Sequence, residues 1–90
     1  MGKEYHIYVL YSYRFCRQYI GHTDNLESRL NRHNSGSVPS TKPYRPWVMI
    51  HHEEFDTRAE AMKREKWLKS GAGRQELKEL LNIGEAIASR

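Results

Sequence analysis

The stretch that most constrains this chain runs from Tyr19 to His33, because it must turn from strand to helix across a single glycine. Tyr19-Ile20 is an aromatic followed by a β-branched residue, which suits a pleated surface. Gly21 permits a backbone geometry or close approach that other residues resist, and is expected to end the strand. Asp24 is the expected N-cap of a helix, with Glu27 three positions on as in a capping box. Leu26 and Leu30 then share one helical face. Arg29 and His33 are also four apart, so their side chains emerge side by side. A strand–glycine–helix corner thus presents a fixed cation beside a titratable ring, which suits a phosphate or another anion. A plain solvated helix face would look the same.

The chain before the corner alternates. Tyr5, Ile7, Val9 and Tyr11 face one way, and His6, Tyr8 and Leu10 the other, so residues 5–11 read as a strand apolar on both sides and therefore central. Tyr8 lies opposite the main apolar set, with its phenol either in a pocket or packed as a ring. Residues 12–17 form a polar link to a second short strand, 18–21, giving an antiparallel hairpin. The first helix is expected to stop near Gly36. Residues 35–46 hold three Pro, three Ser and a Gly, and form a long loop. In that loop Lys42 and Arg45 flank Tyr44, a mixture suited either to a phosphate backbone and bases or to a solvated connection.

A third strand is expected over 47–55, with Val48 and Ile50 on one face and Trp47, Met49 and Phe55 on the other. His51 and His52 are adjacent and point to opposite faces, so they cannot make a simple two-His metal site. Thr57 to Glu60 is a second capping box, opening a helix to about Lys69 that should stop near Gly71 and Gly73. Ala61, Glu65 and Leu68 share its apolar stripe. A carboxylate there needs a metal ion, an Arg, or solvent at the stripe's edge. Arg58, Lys63, Arg64, Lys66 and Lys69 make the rest of this helix a basic, solvated face. A third helix is expected over 74–82 with Leu77, Leu80 and Leu81 inward, followed by a tail, 83–90, expected to fray. Residues 1–82 are read as one domain.

Composition limits the function classes. There is no apolar run near ~18 residues and no signal peptide, so a cytoplasmic protein with no membrane role is expected. The lone Cys16 excludes an internal disulfide and a Cys-based zinc finger. The net charge is +4, and residues 14–46 hold Arg14, Arg17, Arg29, Arg32, Lys42 and Arg45 against only Asp24 and Glu27. That uneven spread favours nucleic acid over small metabolites as the partner.

The pieces stand in a telling order: His6-Ile7-Tyr8, Tyr19-Ile20-Gly21, Arg29, His33, then Glu65 inside a later helix. With the stretch from Arg45-Pro46-Trp47 to Glu60-Ala61, this resembles the small stand-alone bacterial members of the GIY-YIG nuclease superfamily, over about residues 5–70. The resemblance implies an α+β fold, a small three-stranded antiparallel sheet flanked by helices in the order β-β-α-β-α-α, which agrees with the reading above. It implies metal-dependent hydrolysis of DNA phosphodiester bonds with one divalent ion, Mg²⁺ or Mn²⁺, on structured or damaged DNA in repair or recombination. By that resemblance Glu65 would hold the metal. Tyr8 would activate water or pass its proton on, and Tyr19 would line the site. Arg29 would stabilise charge on the phosphate, His33 would assist proton transfer or orient Tyr8, and Gly21 would give the backbone room. Arg32, Lys42, Tyr44 and Arg45 are the expected nucleic-acid contacts. A Tyr with an ordinary pKa near 10 is a poor base at neutral pH, and a nearby Arg29 or metal would lower it.

The usual opening Gly of the first tripeptide is His6 here, on the face of Tyr8, where it would crowd the site or add an acid–base group. The alternative to an endonuclease is a non-catalytic nucleic-acid-binding domain of the same fold. DNA is favoured over RNA, since no RNP-like or Gly-rich RNA signature is present. The sequence names no protein partner.

Overall fold

Strand β1 (Tyr5–Ser12) is apolar on both sides and takes the middle of a three-stranded antiparallel sheet of order β2-β1-β3, with β2 at Arg17–Thr23 and β3 at Val48–Phe55. The computed structural model describes residues 4–81. Helix α1 (Leu26–Ser35) lies between β2 and β3 in the chain, a 3₁₀ turn (Lys42–Tyr44) lies in the loop after it, and α2 (Arg58–Lys69) and α3 (Gly71–Leu81) follow β3. The α+β fold and its element order are as expected. Asn82 and the tail 83–90 lie outside the described residues.

The sheet has two apolar faces. Ile7, Val9 and Ile20 pack under Ala61, Leu68 and Leu77 of α2 and α3, with Ile50 and Phe55 beside them. Tyr8, Leu10 and Trp47 form the other cluster, covered by Leu26 and Leu30 of α1, with Tyr19 and Met49 at its margin. Phe55 therefore sits with Ile50, not with Trp47 and Met49 as alternation predicted. The cause is a β-bulge: Val9 pairs with His51 and Leu10 with Met49, leaving Ile50 as an extra residue that shifts the parity of everything after it.

Several local expectations moved. The N-cap of α1 is Asn25, not Asp24: its side chain accepts from the Ser28 amide at 3.0 Å, and Thr23 Oγ1 accepts from the Asn25 amide at 3.1 Å. Thr23 thus fixes the corner one residue later than Asp24 would. Gly36 does cap α1, in the left-handed region at φ 86°. The Thr57–Glu60 capping box forms as expected. Gly21 lies inside β2 rather than ending it. Gly71 and Gly73 open α3 rather than merely stopping α2. A Cβ on Gly73 would fall 1.7 Å from the Trp67 carbonyl oxygen, so glycine alone allows so tight a turn between the two helices. Leu77 is buried, but Leu80 is 53% exposed and does not point inward. Arg64 also leaves the basic face. It is bound by Glu53 at 2.8 Å and Glu76 at 2.6 Å, joining α2 to β3 and α3.

The loop after α1 is tied down at both ends of its second half. Asn34 donates to the Trp47 carbonyl at 3.0 Å and accepts from its amide at 2.7 Å, and Trp47 Nε1 donates to the Thr41 carbonyl at 2.9 Å. Thr41 is thereby held against the inner face of α1.

Candidate active site

Tyr8 and Gly21 face each other across the β1–β2 ladder. A methyl group at residue 21 would stand 2.6 Å from Tyr8 Oη and 2.8 Å from Cζ. The glycine is there because the phenol occupies the space of its missing side chain. Tyr8 is fully buried, and its Oη lies 3.0 Å from His33 Nε2. On the far side of the imidazole, His33 Nδ1 lies 2.8 Å from Thr41 Oγ1, which lies 3.4 Å from the Val38 carbonyl oxygen.

The electrostatics set the direction of this chain. Burial pushes the Tyr8 phenol up to about 12; the charge of Tyr19 adds to the rise, and the neighbouring Arg29 guanidinium pulls it only partly back. Burial also holds the His33 imidazole below its ordinary value, helped by the charges of Arg29 and Arg32. At pH 7 the phenol is therefore protonated and the ring neutral. Tyr8 donates to Nε2, Nδ1–H donates to Thr41 Oγ1, and Thr41 donates to Val38. The expected lowering pull of Arg29 on the phenol is present, but desolvation of a buried phenolate is larger, so the pKa ends above its ordinary value.

Tyr19 completes the aromatic floor, its ring centroid 4.8 Å from that of His33 and 6.2 Å from that of Tyr8. Arg29 stands one turn before His33 on α1, half-buried.

Glu65 approaches from α2. Its Oε1 is 2.5 Å from His22 Nδ1 and its Oε2 2.5 Å from Lys69 Nζ, with 17% of the side chain exposed. Burial raises the Glu65 carboxyl, but hydrogen bonds and charge from Lys69 and His22 outweigh it and leave the pKa below the ordinary carboxylate range. Glu65 is thus ionised, and its charge contributes to the raised pKa of Tyr8, so the two groups lie within electrostatic reach. Tyr8, Tyr19, Gly21, Arg29 and His33 gather on the α1 side of the sheet, and Glu65, held at His22 of β2, acts on Tyr8 through its charge.

The expected nucleic-acid contacts divide. Lys42 and Arg45 line a groove of about 660 Å³ together with Arg14 and Phe15 of the β1–β2 turn. The Tyr44 ring is covered by Arg17 at 4.1 Å and met edge-on by Phe15 at 5.6 Å. Arg32 lies apart, in a second groove along the outer side of α1. Two residues of the constellation were not picked out as partners from the sequence. Thr41 sits in an irregular loop with no periodic signal. His22, next to Gly21, was visible as a titratable ring, but its contact spans 43 positions.

Residues 4–78 match the GIY-YIG catalytic domain. A UPF0213 protein of Staphylococcus haemolyticus is 41% identical over 61 residues, covering 67% of this chain and 74% of the relative. A UPF0213 protein of Lactiplantibacillus plantarum is 36% identical over 84 residues, covering 87% of this chain and 79% of the relative. The solution NMR structure of a UPF0213 protein from Bacillus halodurans superposes with a TM-score of 0.51 at 25% identity, over 84% of this chain and 83% of the other. A domain match spanning most of the chain, with a shared sheet and helix order, establishes that this protein belongs to the GIY-YIG nuclease family.

Proposed function

We propose that the protein is a divalent-metal-dependent endonuclease that hydrolyses DNA phosphodiester bonds, acting on structured or damaged DNA in repair or recombination. The observation that carries this reading is the buried Tyr8–His33–Thr41 chain set beside Arg29 and within electrostatic reach of an ionised Glu65.

Glu65 fits a hard divalent cation. It is an ionised oxygen donor at a partly open edge, and Lys69, half-exposed at 49%, can swing away from Oε2. Mg²⁺ and Mn²⁺ favour oxygen ligands, and Mg²⁺ often takes only one or two carboxylates while keeping several waters. Bound there, such an ion would supply Lewis-acid stabilisation of the phosphate's growing charge. The chain's own residues do the rest. Arg29 neutralises charge on the non-bridging phosphate oxygens. As water attacks phosphorus, its proton passes to Tyr8 Oη while the Tyr8 proton passes to His33 Nε2; the P–O bond to the leaving sugar oxygen breaks on the opposite side, and that oxygen takes a proton from solvent water. The phenol never has to exist as a free phenolate, so its high pKa is no obstacle. Thr41 holds the Nδ1 proton and so keeps Nε2 as the acceptor. Tyr19 walls the ring from solvent.

One observation favours the alternative of a nucleic-acid-binding domain without cleavage: both Glu65 oxygens already have hydrogen-bond partners, in His22 and Lys69. Cleavage of linear, flapped and branched DNA with Mg²⁺ or Mn²⁺ separates the two. Wild type should cut, and Glu65→Ala and Arg29→Ala should each lose roughly 10²-fold or more, the scale of removing one group that stabilises transition-state charge. Cutting that survives both substitutions rejects the site. Salt-sensitive binding with no cutting by wild type favours the alternative.

A further inference from the structure

We propose that His6, His52 and Glu54 form a second cation site, on the β3 side of the sheet, for a borderline transition-metal ion of the zinc class. This site does not depend on the endonuclease reading.

Its residues are brought together by register. His6 pairs with Glu54 and Tyr8 with His52 across the β1–β3 ladder. His52 and Glu54, two apart, share a strand face, and His6 projects from β1 onto the same face. One ligand atom from each of the three lies within 4.8 Å of the other two. The two rings meet edge-on with centroids 6.2 Å apart. The bulge at Ile50 is what makes this possible. Without the extra residue, His52 and Glu54 would turn to the α2 side, and His51 and Glu53 would take their place. Bulges commonly re-aim side chains in this way.

A second observation concerns His6 itself. His6 Nδ1 is buried with no hydrogen-bond partner. The other histidines outside this cluster are satisfied: His22 by Glu65, His33 by Tyr8 and Thr41, and His51 by Glu53. A buried polar nitrogen left alone is uncommon and calls for an explanation. Glu54 makes no ion pair among the described residues.

The donor set chooses the metal. Two imidazoles and one carboxylate match the open three-ligand zinc set, whereas Mg²⁺ prefers oxygen and keeps its water. Zinc–ligand bonds of about 2.0–2.2 Å place tetrahedral donors roughly 3.4 Å apart. His52 and Glu54 are both exposed, so their side chains have room to rotate toward that spacing. The site is separate from Glu65, which lies at the opposite, β2 edge. His6 is two residues from Tyr8 along β1, or ~7 Å. An ion here would tie the edge strand β3 to the central strand.

The test is calorimetric titration of tag-free, chelator-stripped protein with Zn²⁺, with Co²⁺ absorption as a readout of tetrahedral coordination. Wild type should bind one equivalent. His52→Ala and Glu54→Gln alter exposed side chains and leave the fold intact by circular dichroism. Each should weaken binding by roughly tenfold or more, at least as much as losing an outer-shell partner. Glu65→Ala, which removes the carboxylate assigned to Mg²⁺ or Mn²⁺, should keep the tetrahedral Co²⁺ absorption. Absence of stoichiometric Zn²⁺ binding by wild type overturns the proposal. So does binding unchanged in His52→Ala, or binding lost only in Glu65→Ala.

Discussion

Two hydrogen-bonded clusters meet at the candidate site, and they work in opposite ways. Tyr8–His33–Thr41 is buried, neutral and directional: a phenol donates to an imidazole, which donates to a hydroxyl. His22–Glu65–Lys69 is partly exposed and charged. Burial explains both. Deep in the sheet's α1 face, desolvation drives both the phenol and the imidazole towards their neutral forms. At the edge of β2, the same penalty on Glu65 is smaller than the combined gain from its contacts with Lys69 and His22. The buried cluster is therefore suited to moving a proton along a fixed path. The edge cluster is suited to exchanging one cation for another.

The comparison breaks first at His33. His33→Ala should cost about 3–5 kcal/mol, because it leaves a cavity and strands the Tyr8 hydroxyl without a partner. Chemical denaturation would read this, and a loss below 1 kcal/mol would mean that the chain is not a structural unit.

The pH dependence sharpens the contrast next. Tyr8 is raised in the folded state from 10 to about 12. Its contribution is fully present below pH 10 and lost as pH rises through 12, a fall on the order of 3 kcal/mol at ~1.4 kcal/mol per unit. The Tyr8→Phe variant should not show that fall. His33 acts at the other limb. Its folded pKa is depressed, so its contribution is complete above the unfolded value of 6.5 and declines as pH drops through the folded one. Glu65 is also depressed and its contribution is lost at lower pH still. A stability profile flat from pH 4 to 12 would contradict the assigned protonation states.

The smallest effect belongs to the edge. His22→Ala should cost below about 1 kcal/mol, because the hydrogen bond it removes is part-exposed and the Glu65 carboxylate can turn to water and Lys69. A loss matching that of His33→Ala would show that the edge cluster is as buried in energy as the relay, and the distinction would fail.

Local pattern carried a good part of this fold. The alternation of residues 5–11 marked β1 as central, Thr57 and Glu60 marked the start of α2, and the 61, 65, 68 spacing put Glu65 on the stripe that packs against the sheet. The errors are also local in origin. Asp24 and Asn25 are equally good caps by type, and the choice fell to Asn25 once Thr23 Oγ1 had taken the Asn25 amide. Alternation misplaced Phe55 because a one-residue bulge has no sequence period. Arg64 read as solvent-facing because its partners, Glu53 and Glu76, come from two other elements.

What the sequence determined by itself was which chemical groups are present and which element carries each: a strand Tyr, a helical Arg beside a His, and a carboxylate on an apolar stripe. Those follow from periods of two and of 3.6, which are properties of neighbouring residues. Only the tertiary structure decided what the groups do to one another. The pairing of Tyr8 with Gly21, of His33 with Thr41 and of His22 with Glu65 depends on strand register and on how helices and the loop after α1 dock. So does the protonation state of Tyr8, because desolvation is set by everything that packs around the ring, and no stretch of chain carries that information alone.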